Sequence, residues 1–509
     1  MLRRARTPVL AIALALAATL LAPPAGAQEP PADGRGDATV IAVIDSGIAP
    51  YHWDFLASKM PQATDADPSN DLPLDQAPDT WLPGFPSTSS FNEYRGLDLT
   101  LDGENESRSI ASLQSADTAT WNTVKTSTPG SVKYYWLPGT KVIGAVTFGA
   151  GLKINAGVGT HGQGTTSVSV GNIYGGCPEC LLVFIQYGSV ASGEQAIEWA
   201  LSQPWIDGIS NSYGFSAAER DRLYSGSDTE AQKVASERGQ TVFFSSGNGM
   251  SNTFTIPNQT FFSSQEGPDW IVTVGGVHTN GASYTGAGKP ADIAGLGTAY
   301  PSAYGGSTVT GSGNFSGTSN ATPTIAGMYG RALYRARQVL SGSSRTQAAG
   351  VVAVADAPFA CGDVRPDCEL GDGALTASEL RTRLFQGAVH TAQGMMPGTI
   401  NNPTLPPLGE DEYLNEGYGT YFVRKNGVDA WMTEFERIVG PLEGRAAALA
   451  RPAGEREWMI VDSFCRQELW GDWTGGSFVR GQTVLPGPSP TYPVRTALEQ
   501  VCPHLFPPL

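Results

Sequence analysis

Six short runs of apolar residues mark the chain up to residue 274, and they predict its strands. The first run ends at Asp45 and lacks an alternation of polar and apolar positions, which is typical of a parallel strand buried on both faces. In chain order the runs are 40–44, 142–148, 181–187, 206–210, 241–244 and 270–274.

Segments with helical character lie between and after these runs. A helix is predicted after the third run, because Ala196, Ile197, Ala200 and Leu201 share one face. Further helices are predicted at 230–238, after Ser319 and after the capping-box pattern at 376–379. In the second of these, Pro323 is expected in the first turn, where proline is tolerated.

Strands that alternate with helices predict an α/β fold, with a doubly wound, mostly parallel sheet flanked by helices. Binding and catalytic sites of such sheets form at the carboxyl ends of the strands. Asp45 and Asn248 both lie at such positions in the predicted order of elements.

The chain divides into four segments on sequence grounds. Residues 1–27 predict a secretory signal peptide, because basic residues precede an apolar run and a small-residue cleavage site. Residues 28–427 form the predicted main domain, and a stretch at about 60–138 without clear periodicity is expected to be a long insertion. Residues 428–509 are expected to form a small C-terminal extension.

Charge and composition narrow the classes of function. The net charge of −16 argues against nucleic acid as a partner and favours a solvated surface, although calcium-binding loops are an open alternative. With the signal removed, we expect a protein outside the membrane, secreted to the extracellular space or the periplasm. We expect it to be a monomer.

The six cysteines fall into three local pairs in an exported chain, which favours disulfides. The pairs by proximity are Cys177 with Cys180, Cys361 with Cys368, and Cys465 with Cys502. The first of these also has the spacing of a redox or zinc motif, but no second ligand pair accompanies it, so a structural disulfide is the preferred interpretation.

Three short segments carry candidate chemistry: Asp45-Ser46-Gly47, Thr160-His161-Gly162 and Gly317-Thr318-Ser319. A serine hydroxyl needs a base to accept its proton, and the base needs a carboxylate to orient it. Ser319 is the candidate nucleophile, His161 the candidate base and Asp45 the candidate carboxylate. The chain order Asp, His, Ser is one of the recurrent orders of this triad.

The four-motif pattern resembles the subtilisin-like serine peptidases, the subtilases, over roughly residues 38–422. The fourth motif is Ser245-Ser246-Gly247-Asn248-Gly249. The resemblance implies a subtilisin-like fold and an endopeptidase that hydrolyses proteins or peptides through an acyl-enzyme. It also implies that Asn248 donates its side-chain amide to the oxyanion, and that no cofactor is required for the chemistry.

The same resemblance implies a substrate-binding segment at Ser212, Tyr213 and Gly214, with Gly247 near it, where an extended peptide pairs as an added strand. Four features depart from the family: a missing pro-domain, a long separation of Asp45 and His161, a helix after His161 with no room for a calcium-binding loop, and Asn320 where the family usually has Met. Few residues separate the predicted cleavage site from the first strand, so a folding pro-domain is expected to be missing. The long separation of Asp45 and His161 is accounted for by the insertion.

Calcium is expected, if present, only in a structural role, and no catalytic metal is predicted. The candidate ligands are Asp54, the acidic cluster Asp65, Asp67, Asn70 and Asp71, and a loop from Asp372 to Glu379.

The sequence argues against three alternatives to a subtilisin-like peptidase. An inactive scaffold of the same fold conflicts with the retention of all four site residues. An esterase or lipase would require Gly-x-Ser-x-Gly and the order Ser, Asp, His. A sedolisin-like acid peptidase would replace His161 with a carboxylate.

Overall fold

The computed structural model describes the chain from residue 38 to residue 340 with gaps, and only short strands beyond residue 340. The described ranges are 38–64, 71–82, 84–86, 92–93, 108–117, 133–148, 159–203, 205–213, 240–245, 247–248, 271–277, 293–297 and 300–340, with strand pairs from 352 to 485. The predicted signal peptide, the predicted helices at 230–238 and 376–379, and the cysteines other than Cys177 and Cys180 lie outside them.

Eleven strands of the described chain precede the nucleophile segment. They are β1 Val40–Asp45, β2 Asn92–Glu93, β3 Lys133–Trp136, β4 Val142–Thr147, β5 Leu181–Gln186, β6 Gly208–Asn211, β7 Thr241–Ser245, β8 Ile271–Val277, β9 Ile293–Leu296, β10 Tyr300–Ser302 and β11 Gly313–Phe315. Seven short strands follow: β12 Val352–Ala353, β13 Ala374–Leu375, β14 Val389–His390, β15 Tyr421–Phe422, β16 Asp472–Thr474, β17 Ser477–Arg480 and β18 Thr483–Leu485.

The described α-helices are α1 Pro61–Thr64, α2 Ile110–Ala116, α3 His161–Val170, α4 Val190–Ser202 and α5 Thr318–Leu340. Three short 3₁₀ helices cover Trp53–Phe55, Ala57–Lys59 and Pro78–Thr80. The helix predicted after the third apolar run, which forms β5, is confirmed, since α4 buries Ala196, Ile197, Ala200 and Leu201.

The predicted doubly wound sheet is confirmed. Seven strands lie side by side in the order β9-β8-β7-β6-β1-β5-β4, and every neighbouring pair among them is parallel. β3 adds to one edge antiparallel to β4, and β14 and β15 extend the other edge. Because β4 and β5 lie on one side of β1 and β6 to β9 on the other, the connections diverge at the carboxyl end of β1.

Strand boundaries differ from the prediction most clearly at β6, which begins at Gly208 rather than Ile206. Trp205 and Ile206 are buried in the preceding loop instead, and the Trp205 ring lies 4.6 Å from that of Phe85. The apolar character of this run therefore comes partly from a loop that packs on the core.

The insertion predicted at about 60–138 contributes to the core. Its described residues Trp81, Leu82, Phe85 and Trp136 are buried in the same hydrophobic cluster as the central strands. These aromatic residues recur with no helical or strand period in the sequence, so the pattern gave no sign that they are buried.

The insertion also forms backbone hydrogen bonds with the turn of the hairpin made by β10 and β11. The Ile110 N–H at the start of α2 donates to the Ser307 carbonyl at 2.9 Å, and Ser109 forms a bridge with Thr308. Ile110 and Leu113 bury their side chains against Tyr51. Since β11 leads directly into α5, the insertion supports the segment that precedes Ser319.

Lys141, the residue before β4, is fully buried between the strand and the end of α3. Its Nζ donates to the Val170 carbonyl and, at 2.7 Å, to that of Pro178. Burial lowers the pKa of Lys141 to about 7, although the charges of Asp54 and Glu179 oppose the shift. Pro178 lies between Cys177 and Cys180, which are joined by a disulfide as the sequence predicted for this pair.

We predict that the free energy of unfolding rises with pH between about pH 7 and 9.5 through Lys141. In this window the unfolded chain, with an ordinary lysine pKa of 10.5, binds the proton that the folded chain releases near pH 7. One such proton contributes at most roughly 1.4 kcal/mol per pH unit. Urea unfolding across this range measures the slope in the wild type and in Lys141→Met, which is expected to lose it.

The matched control is Lys59→Met, which removes a partly exposed lysine lying 4.2 Å from the centre of the Trp53 ring. This variant is expected to keep the wild-type slope. A slope in Lys141→Met equal to that of the wild type would show that another group titrates.

Candidate active site

Asp45 is the last residue of the central strand β1, and its carboxylate is almost completely buried. A buried carboxylate is costly unless donors surround it. The Ser46 N–H donates to Oδ1 at 2.6 Å, and the Thr165 hydroxyl donates to Oδ2 at 3.0 Å. His161 Nδ1 lies 2.9 Å from the same Oδ2. The carboxylate is therefore held from both of its oxygens.

His161 is the first residue of α3, and the start of this helix packs directly against the turn that follows β1. A Cβ on Gly162 would lie 2.5 Å from the Gly47 carbonyl oxygen, so only glycine permits this approach. The Thr160 hydroxyl donates to the same carbonyl at 2.9 Å. The side chain of His161 is 43% exposed and that of Asp45 only 4%. The imidazole thus turns one nitrogen to a buried anion while remaining open to solvent.

The pKa of His161 results from two opposing effects. Burial lowers it, but the hydrogen bond to Asp45 and the charge of that carboxylate raise it by more, so it lies above the ordinary 6.5. An imidazole with this pKa can accept a proton near neutral pH and return it.

Two tyrosines lie next to Asp45 at the same end of the sheet. The rings of Tyr187 and Tyr213 are 4.4 Å apart between centroids, and the Tyr213 hydroxyl donates to Asn211 Oδ1 at 2.9 Å. Burial and the Asp45 charge raise the pKa of Tyr187 to about 12, and burial raises that of Tyr213 well above 10. Neither phenol therefore ionises at neutral pH.

Ser319 is the second residue of α5, one position further into the helix than predicted. Gly317 caps the helix, since its carbonyl accepts from the N–H groups of Asn320 and Ala321. As a second helical residue, Ser319 has no carbonyl four positions back within the helix to receive its own N–H. Its side chain is nearly buried, with the residue 8% exposed.

Pro323 lies in the second turn of α5, not in the first turn as predicted. Because proline has no N–H, the carbonyl four residues earlier, that of Ser319, receives no helical hydrogen bond. The hydroxyl of Ser212 donates to this carbonyl at 3.3 Å. The proline thereby leaves an acceptor that ties the end of β6 to the candidate nucleophile.

Asn248 follows β7 and binds the residue before Ser319. Its Oδ1 accepts from the Thr318 N–H at 2.7 Å and from the Thr318 hydroxyl at 2.8 Å. A backbone N–H can only donate, which identifies the atom facing it as the amide oxygen. Both hydrogens of Nδ2 are then left to donate elsewhere. Gly317, at φ +99°, passes so close that a Cβ there would lie 2.9 Å from Oδ1.

The described structure thus brings most of the predicted site residues to the side of the sheet where the parallel strands have their carboxyl ends. Asp45 contacts His161, Ser212 contacts Ser319, and Asn248 contacts Thr318. Gly247 precedes Asn248 with φ +89°, and Gly214 lies outside the described residues.

Sequence reasoning missed two residues of this edge. Phe315 places its ring 5.3 Å from that of His161, between centroids, and so links β11 to the candidate base. Thr165 donates to Asp45 from the same helix that carries His161. A signal for Thr165 was present, because residues four apart share a helix face.

A calcium ion does not fit at Asp54. Both oxygens of that carboxylate already have donors, since Oδ1 accepts from the Ile173 N–H and Oδ2 from the Ser167 hydroxyl. Within the described ranges no group of His, Cys, Asp and Glu is arranged to bind a metal. The predicted ligands Asp65, Asp67, Asn70, Asp372 and Glu379 lie outside those ranges.

None of the described helices is long and apolar enough to cross a membrane.

Comparison with known proteins identifies the family. The model of the subtilase family matches residues 36–351, which is more than half of the chain. Among solved structures, a cold-adapted subtilisin-like serine proteinase is 15% identical, with coverage of 62% of this chain and 80% of that chain and a TM-score of 0.32. No curated protein matches the sequence.

The match to the family model covers β1, α3 and the start of α5, so all the segments of the site described above fall within it. The chain belongs to the subtilase family and is a serine peptidase.

Proposed function

We propose that the protein is a secreted serine endopeptidase in which Ser319 is the nucleophile, His161 the general base and Asp45 the orienting carboxylate. The observation that carries the proposal is the contact between His161 Nδ1 and Asp45 Oδ2 at 2.9 Å, between an exposed imidazole and a buried carboxylate. This contact favours the tautomer with the proton on Nδ1, in which Nε2 is unprotonated and can act as the base.

In the proposed reaction, Ser319 Oγ attacks the scissile carbonyl carbon while His161 Nε2 takes its proton. The imidazolium is stabilised by the Asp45 carboxylate, which stays ionised. His161 then gives the proton to the leaving amine, and an ester forms between Ser319 and the acyl group. Water hydrolyses this acyl-enzyme by the same steps, with His161 again as the base.

The oxyanion is expected to be bound by Nδ2 of Asn248 and by the N–H of Ser319. The Thr318 bonds to Oδ1 hold the amide of Asn248 in a fixed orientation, which aims its nitrogen before substrate binds. Preorganised donors of this kind stabilise charge in the transition state without reorganisation.

A protein or peptide substrate is proposed to lie extended along Ser212, Tyr213 and Gly214, near Gly247. The Ser212 hydroxyl bond to the Ser319 carbonyl supports this, because it fixes the end of β6 beside the nucleophile. Export is proposed from residues 1–27, which have the pattern of a signal peptide. A monomer and an optional structural calcium ion stay predictions from the sequence.

We predict that purified mature protein hydrolyses casein, that Ser319→Ala abolishes this activity, and that a phosphonylating reagent labels Ser319 alone. The substitution removes the attacking oxygen while its small side chain fits the same nearly buried position. The measurement is casein hydrolysis with mass spectrometry of the labelled peptide. A wild type with intact circular dichroism but neither activity nor label would instead favour a binding protein that retains the fold.

For Asp45→Asn we predict a loss of kcat on the order of 10⁴-fold, because the asparagine no longer favours the productive tautomer. The pKa of His161 should fall below 6.5, since burial then acts without the opposing carboxylate. In the wild type the same group gives activity that rises with pH through a value above 6.5. An NMR titration of His161 from about pH 5 to 9 reports both pKa values directly.

The titration is practicable because the chain has five histidines. An unchanged His161 pKa in Asp45→Asn would contradict the assignment of this carboxylate as its partner.

For Asn248→Asp we predict a loss of kcat on the order of 10²–10³-fold with little change in melting temperature. The aspartate keeps an acceptor for Thr318 but replaces the donor nitrogen with a negative oxygen that repels the oxyanion. Asn248→Ala is the companion variant, and it should lose both kcat and stability because Thr318 also loses its acceptor. Equal kcat in Asn248→Asp and wild type would exclude Nδ2 as an oxyanion donor.

A further inference from the structure

The hydroxyl of Thr165 contacts the oxygen of Asp45 that lies nearer to His161 Nδ1, namely Oδ2. Its Oγ1 lies 3.0 Å from Oδ2, the same atom that lies 2.9 Å from His161 Nδ1. The other oxygen, Oδ1, lies 3.1 Å from the same nitrogen. Thr165 is fully buried, and its hydroxyl can also reach the Gly162 carbonyl at 3.2 Å. A single hydroxyl proton favours the charged and nearer acceptor, which is Asp45.

The arrangement follows from helix geometry. His161 and Thr165 are four residues apart in α3, so their side chains lie one above the other on the same face. The Asp45 carboxylate docks against this face with Oδ2 between the two groups, while Oδ1 accepts from the Ser46 N–H on the side of the strand. Rotation of the carboxylate would break a bond at each oxygen.

We propose that Thr165 is a positioning residue of the catalytic site, which holds Asp45 Oδ2 in the orientation that His161 requires. It touches neither the substrate nor the reacting atoms, and it acts through Asp45. The inference rests on the proposed function, since it requires His161 to act as the base.

Thr165 affects rate in two ways. It restrains the carboxylate, so that the imidazole keeps the tautomer with the proton on Nδ1. Its hydroxyl dipole also takes up part of the negative charge on Oδ2, which slightly weakens the attraction between Asp45 and the imidazolium. Removal of the hydroxyl should therefore lower kcat and move the acid limb of the pH profile upward.

Few other groups face Asp45 and could confuse this readout. The titratable residues that act on it within the described ranges are His161, Tyr187 and Tyr213. Both phenols have pKa values far above neutrality, as described above. The acid limb of kcat/KM thus reports His161.

The test compares Thr165→Val, Thr165→Ser and Thr166→Val with the wild type on a peptide substrate. Valine matches threonine in shape but cannot donate, and serine keeps the hydroxyl. Thr166 is the adjacent buried threonine, and its hydroxyl has no hydrogen-bond partner among the described residues, so its valine variant controls for the substitution itself.

We expect Thr165→Val to lower kcat by roughly 10-fold with KM changed less than about twofold, and to move the acid limb up by a few tenths of a pH unit. Thr165→Ser should recover most of the loss, and Thr166→Val should match the wild type. The downfield proton resonance of His161 Nδ1–H should broaden or shift in Thr165→Val alone, which checks the effect without substrate.

Two results would overturn the proposal: Thr165→Val with wild-type kcat and acid limb, or Thr165→Ser impaired as strongly as Thr165→Val. The second result would assign the effect to packing of the methyl group. If Thr165→Val fails to fold, the decision rests on Thr165→Ser, through its kcat and its His161 Nδ1–H resonance. Failure of the proposed function has a different signature, because the wild type itself would then lack activity and phosphonyl labelling.

Discussion

The structure depends on how a buried anion at the end of the central strand is satisfied. Asp45 ends β1 between β5 and β6, where neighbouring strands exclude water from its carboxylate. Such a group is stable only if donors reach it from other elements. The turn after β1 and two successive turns of α3 supply them. The requirement to solvate one carboxylate therefore fixes the position of the helix that carries the base, and the glycine at 162 allows the close approach.

A second constraint works at α5. Its first N–H is bound by Asn248, and its proline leaves the Ser319 carbonyl to Ser212. These two groups of the helix start thus bind residues that follow two different parallel strands, β7 and β6. Because carboxyl ends of parallel strands meet at one edge, these bonds bring Ser319 to the same edge as Asp45. The irregular backbone around Ser319 therefore serves to attach the start of α5 to the ends of these strands.

Sequence reasoning predicted the parts of this protein that local patterns encode. The apolar runs predicted the parallel sheet, and the motifs around Asp45 and His161 predicted a pair of side chains that the structure brings into contact. It did not predict the burial of Lys141 or of the aromatic residues of the insertion. Lysine is ordinarily exposed, and its burial here is offset by two carbonyls and two carboxylates from segments distant in sequence. Trp81 and Phe85 have no periodicity, and their burial is set by tertiary contacts.

The position of Thr165 is determined by a local sequence pattern and a tertiary contact together. A threonine four residues after a histidine is visible in the sequence, but a helix face alone does not say what lies against it. The sheet supplies that, because the end of β1 presents a carboxylate to this face. A hydroxyl buried beside an ionised carboxylate is also hard to replace with an apolar group of equal size, since the anion would lose a donor that water cannot substitute. Catalytic geometry and local stability therefore favour the same side chain at this position.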